Sequence, residues 1–146
     1  MQLSPNFSLN EFTASSKASS LGISNEPTEA ALGCLKSLVE ALLQPLRVKI
    51  GKPFKITSGY RSLALNTAIG GVKASQHNLG QAADFQVQGM TPYEVCQIII
   101  SSGFEFDQLI NEGTWIHISY EKGKNRKQVL TAVFTKGKPT TYKLGL

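Results

Sequence analysis

The chain has two histidines, and both stand where they could hold a metal. His77 lies in Ser75-Gln76-His77-Asn78-Leu79-Gly80-Gln81-Ala82-Ala83-Asp84, and His117 lies in Trp115-Ile116-His117-Ile118-Ser119. With Asp84 they make a set of two imidazoles and one carboxylate. These are ordinary zinc ligands, and a catalytic zinc keeps three protein ligands and leaves a fourth position to water. Zinc so held lowers the pKa of a bound water to about 7, which makes hydrolysis at neutral pH the chemistry this set would support. Each residue also has a plainer reading: His77 as an exposed loop histidine, Asp84 as a turn cap, His117 as a satisfied core histidine. Asp84 speaks against its own plain reading. Ala83-Asp84-Phe85-Gln86-Val87 alternates like a strand, and Asp is disfavoured there unless something such as a metal explains it.

The elements that must carry these residues can be read from periodicity. From Pro27 to Val48, Ala31, Leu35, Leu38, Val39, Leu42, Leu43 and Leu46 recur at three- and four-residue steps, which predicts a helix with one apolar stripe. Pro27 suits its first turn, and Pro45 is expected to stop or kink it. Residues 13 to 25 are small and polar and read as a loop or a weak helix. Phe54 to Thr57 reads as a short strand, and Arg61 to Ile69 as a short helix closed by Gly70-Gly71. Residues 72 to 82 then form the loop holding His77. Asp84 and Gln86 share one strand face and Phe85 takes the other.

Thr91-Pro92-Tyr93-Glu94 is a capping box with Pro at the first helical position. It opens a helix through Ile100 that ends near Gly103. Asp107 to Asn111 and Trp115 to Tyr120 read as strands joined around Gly113, and Val129 to Phe134 as the last strand. Strand parity puts Trp115, His117 and Ser119 on one face, with Ile116 and Ile118 behind. Helices first and a mostly antiparallel sheet after them give an α+β fold. The expectation is a single domain over residues 1–146, its N-terminal helices packed on a sheet that carries the metal cleft.

His77, Gly80, Ala82 and Asp84, followed by Trp115-Ile116-His117, resemble the zinc D-Ala-D-Ala carboxypeptidase family, which includes cell-wall peptidases of phages and bacteria. Phe7-Ser8-Leu9-Asn10-Glu11-Phe12, Thr57-Ser58-Gly59-Tyr60-Arg61-Ser62 and Phe106-Asp107-Gln108-Leu109-Ile110 carry the resemblance further. It covers roughly residues 5 to 120, and residues 121 to 146 hold no motif. The resemblance implies zinc as cofactor on His77, Asp84 and His117, and peptidoglycan peptides as substrate. The cut would be of the carboxypeptidase or the endopeptidase (endolysin) type.

Such an enzyme needs a base within reach of the attacking water. Many members carry an acid three positions before the last histidine, where this chain has Thr114. The nearest carboxylate is Glu112, read either as the base or as a solvated loop charge. Arg61 matches the family's arginine and would meet a substrate carboxylate or the scissile carbonyl through its guanidinium fork; its alternative is a structural salt bridge. Ser75 would bond the peptide backbone or serve as a turn hydroxyl. Trp115 would line the cleft or join the core. Asp107 and Gln108 would orient a ligand imidazole from behind. If Glu112 is not a base, the alternative is a metal-holding, inactive wall-binding or virion module.

Composition bounds the rest. The chain has 146 residues, 41% hydrophobic and 17% charged, which suits one globular domain rather than a disordered chain. No apolar run approaches the length of a membrane span. Met1-Gln2-Leu3-Ser4-Pro5 shows no secretory signal. The resemblance therefore implies synthesis in the cytoplasm and arrival at the wall by phage-type release or on a virion. A net charge of +5 favours anionic partners, either an anionic wall or nucleic acid. No nucleic-acid-binding motif supports the second, and a monomer is expected. Lys122 to Lys127, with Lys136 and Lys138, reads as a solvated basic loop. Cys34 and Cys96 sit in apolar helical runs and read as buried free thiols; a disulfide is disfavoured without a secretory signal.

Overall fold

The computed structural model describes residues 1–71 and 75–146. The chain begins with a two-stranded ribbon, β1 (Gln2–Ser4) and β2 (Phe7–Ser8), that sequence periodicity does not reveal. It continues into α1 (Leu9–Thr13) and α2 (Ser16–Leu21), the weak-helix alternative for this segment. A long helical stretch follows: α3 (Glu29–Leu38), a π-helical turn (Val39–Leu43) and α4 (Gln44–Ile50). Its predicted apolar stripe is buried throughout.

Two details of this helix differ from expectation. Pro27 lies outside it, because Thr28 is the N-cap and its hydroxyl accepts the Ala31 N–H, which proline cannot do. Of the two expectations for Pro45, a stop or a kink, the stop is not met. A proline ring presses on the carbonyl four residues back, and the preceding turn widens to the π form, with Gln44 N–H bonded to Val39 O. The chain then stays helical to Ile50.

The main sheet has six strands in the order β3-β4-β6-β5-β7-β8. They are β3 (Phe54–Ser58), β4 (Ala82–Val87), β5 (Gln108–Asn111), β6 (Ile116–Ser119), β7 (Gln128–Val133) and β8 (Thr141–Leu144). All pairings are antiparallel except β5 with β7. β7 is not the last strand, as the sequence reading had it. Residues 141–144 add β8 to its open edge, where ladder hydrogen bonds make a short polar run into a strand. Between β3 and β4 lie α5 (Leu63–Ala68) and a 3₁₀ turn (Gln76–Leu79); α6 (Pro92–Ser102) follows β4, with the predicted capping box formed by Thr91 and Glu94. Of the expected loop at 72–82, residues 72–74 lie outside the described residues, and the rest is this turn and the start of β4.

One hydrophobic cluster joins these layers. Leu35, Leu38, Leu42, Leu43 and Leu46 from the long helix meet Val95, Cys96 and Ile99 of α6 and Phe85, Leu109, Ile116 and Ile118 of the sheet. Phe7, Phe12, Phe54 and Phe85 continue it as a chain of ring contacts, with Phe54 stacked on Phe85 at 5.0 Å. Each such side chain contributes roughly 1.5–3 kcal/mol on burial. The arrangement is α+β, with helices on one face of the sheet and the other face open. Cys34 and Cys96 are free thiols, and only Cys96 is fully buried, its thiol pushed up to about 12 by that burial. No helix among the described residues is long and apolar enough to cross a membrane.

Candidate metal centre

Sheet register brings Asp84 and His117 together. Asp84 of β4 stands directly opposite His117 of β6, so their side chains emerge side by side on the open face. His117 Nδ1 lies 2.9 Å from Asp84 Oδ1. His77 comes from the 3₁₀ turn just before β4, and its Nε2 lies 3.5 Å from Asp84 Oδ2. The two imidazoles pack edge to face, 5.3 Å between centroids. One ligand atom from each of the three residues lies within 4.8 Å of the others, and the three could hold one metal ion.

The donor chemistry fits a metal. His77 Nδ1 is 2.7 Å from the carbonyl oxygen of Gly59. A carbonyl only accepts, so this nitrogen carries the proton and Nε2 presents its lone pair toward Asp84. A metal-binding histidine is commonly oriented in this way by a backbone carbonyl. Burial raises the Asp84 pKa, but the hydrogen bond from His117, with both imidazoles close by, outweighs it and holds the carboxyl well below the usual range. The group is therefore ionised at neutral pH, as a ligand must be.

Local packing explains the aim of the Gly59 carbonyl. Tyr60 N–H bonds to Phe12 O at 2.7 Å, pressing the segment after β3 against α1. A Cβ on Gly59 would lie 2.6 Å from that same oxygen, so only glycine allows the approach. Asn25 pins the far side, donating to the carbonyls of Thr13 and Tyr60 and accepting from Ser62 N–H. Gly59→Ala is expected to lower stability by about 1–3 kcal/mol through this overpacking, measured by urea unfolding. Gly80 ends the turn at φ +74 with the Ala31 carbonyl where its Cβ would be, a second position open only to glycine.

The other predicted residues fall as follows. Arg61 is half-buried next to this turn. Its backbone N–H bonds to His77 O at 3.1 Å, and one guanidinium nitrogen lies 3.5 Å from Ser75 Oγ. Its Nε is buried without a hydrogen-bond partner. Among the described residues no ion pair to Arg61 forms, so the salt-bridge alternative is not realised. Ser75 caps the 3₁₀ turn by accepting His77 N–H, the turn-hydroxyl reading. Trp115 is half-buried and lies outside the core cluster. Glu112 follows β5, and its backbone N–H bonds to Trp115 O. Burial raises the Glu112 pKa, His117 opposes, and the Asp84 carboxylate adds to the rise; the bond to Trp115 O sets Glu112 opposite Trp115, two residues before His117.

Asp107 and Gln108 do not touch a ligand imidazole. Gln108 Nε2 donates to Gln128. Asp107 is buried and accepts from Gln76 Nε2 at 2.9 Å and from Arg126 N, Nε and a terminal guanidinium nitrogen. It thus anchors the residue before His77 and ties the 121–127 loop to the sheet. The imidazole is oriented instead by a backbone carbonyl, which has no side-chain signature in a sequence. Hydrogen bonds to Arg126 outweigh burial and hold the Asp107 carboxyl below its ordinary 3.8. A depressed folded-state pKa contributes stability above the ordinary value that is lost as pH falls toward the folded one. Asp107→Asn is expected to cost about 1–2 kcal/mol near pH 6. In thermal melts the gap to wild type should narrow as pH drops below 3.8.

The model of a known family, described as Peptidase M15, matches residues 5–119. The chain belongs to the peptidase M15 family, the zinc D-Ala-D-Ala carboxypeptidases. Among curated proteins none matches the chain. M15 peptidases are zinc-dependent hydrolases, and the His-Asp-His cluster of this M15 chain has the donor types that zinc takes. The matched segment runs from the turn before β2 through β6 and contains the whole cluster; β1, β7 and β8 lie outside it.

Proposed function

We propose that the chain is a zinc-dependent peptidase that cleaves amide bonds in the stem peptides of bacterial peptidoglycan. The observation that carries this is the convergence of His77, Asp84 and His117, with a half-buried Glu112 opposite Trp115 at the end of the same strand pair. Held by these three ligands, zinc supplies a Lewis acid that polarises the scissile carbonyl and acidifies a water. Glu112 takes the proton of the attacking water and delivers it to the leaving amine, its burial raising the carboxyl toward the range useful for a base near neutral pH. Arg61, with no carboxylate partner among the described residues, steadies the carbonyl oxygen or a terminal carboxylate of the peptide. Ser75 and Trp115 flank the bound peptide. The +5 charge draws the enzyme to an anionic wall.

A second reading, a metal-holding module that binds the wall without turnover, is favoured by Thr114. This residue stands where many family members carry an acid, and its carbonyl accepts a hydrogen bond from Gln86. The test is release of new amino groups from purified peptidoglycan, with bound metal counted by atomic emission. One zinc per chain with amine release supports the peptidase. One zinc with no release from any wall type gives the second reading, and a chain that takes up no metal overturns both.

A further inference from the structure

Two rows of residues cross the open face of the sheet. The first runs Ser58–Asp84–His117–Ile110–Leu130–Leu144. The second lies one step along the strands and holds Glu112 and Trp115 at the end of the β5–β6 pair. Continuing the parallel β5–β7 register past Asn111↔Thr131 puts Ala132 beside Glu112, and Ala132 pairs with Tyr142. Tyr142 is thus two strands from Glu112 on the same face, roughly 10 Å between backbones, with only a methyl side chain between. Phe134, from the same hairpin, lies against the Gly113 turn beside Glu112: a Cβ on Gly113 would be 3.2 Å from its ring.

We propose that the β7–β8 hairpin is part of the active site and that Tyr142 contacts the substrate there, its hydroxyl hydrogen-bonding the peptide between it and Arg61. This rests on the peptidase reading above. Arg61 follows β3 at one edge of the sheet and Tyr142 stands on β8 at the other, with the metal cluster on the strands between them. The Tyr142 side chain is half-exposed and therefore open to a ligand. Its hydroxyl is held above the ordinary value, by burial first and then by the carboxylates of Glu112 and Asp84. The hairpin lies outside the segment that the family model matches, and it is a place where the choice of peptide would be set.

The test uses zinc-loaded Glu112→Gln, which binds without cutting, and N-acetyl-L-Lys-D-Ala-D-Ala as probe, followed by titration calorimetry. Adding Tyr142→Phe is expected to raise Kd about fivefold to tenfold, the value of one hydrogen bond, and Tyr142→Ala to raise it further. In the otherwise wild-type chain, Tyr142→Phe raises KM by a similar factor. Zinc content and Tm stay as in the parent, which a merely structural role on an edge strand would not combine with weaker binding. Peptide binding and KM indifferent to both substitutions overturn the proposal and leave the peptidase reading intact. A Glu112→Gln chain that binds zinc but neither this peptide nor purified stem peptides overturns the peptidase reading, and the proposal with it.

Discussion

Glu112→Gln is expected to retain one zinc per chain and lose about 10²–10⁴-fold in kcat, the usual contribution of a positioned general base. Gln keeps the size of the side chain but cannot take a proton. It also relieves the repulsion between Glu112 and the Asp84 carboxylate, so zinc content should not fall. The pH profile provides an independent readout. A base works when ionised, so at saturating zinc kcat/KM falls as pH drops through the Glu112 pKa, which burial raises above 4.5. The variant should lack that limb. Equal kcat in both chains would remove Glu112 from the mechanism.

His117→Ala has the larger effect, because it removes a ligand and with it the cofactor. Zinc in a dialysed sample should fall to near zero, and hydrolysis by more than roughly 10³-fold, since the water loses a pKa change from about 15.7 to about 7. The fold should survive. His117 projects from the open face, while its neighbours Ile116 and Ile118 hold the core behind. Circular dichroism close to that of wild type, with no metal and no turnover, is the expected combination. Retention of stoichiometric zinc would show that the ion is held by other residues.

Much of this was legible in residue spacing. The alternation around Asp84 and His117 is enough to turn each away from the core, because side chains on a strand point to opposite faces with period two. The helical stripe from Ala31 to Leu46 and the capping box at Thr91 are local signals of the same kind, and both stand in the structure. What was not legible is long-range. Pro45 reads as a stop or a kink, and the widened turn before it, its Val39, Leu42 and Leu43 fully buried, lets the chain stay helical to Ile50. β8 is too short and polar to announce itself without the β7 edge to pair with. Asp107 looks like a partner for a ligand imidazole, yet it anchors Gln76 and Arg126, groups 31 and 19 residues away.

By itself the sequence determined which residue types are available for the chemistry, on which strand faces they stand and to which family the chain belongs, because these depend on identity and short-range periodicity. Only the tertiary structure decided that Asp84 pairs opposite His117, that the Gly59 carbonyl holds the His77 proton on Nδ1, and that a C-terminal strand brings Tyr142 onto the face of Glu112. Those facts follow from strand register and from close approach of distant backbone segments. Both are settled by how the whole core packs, and no window of neighbouring residues contains that information.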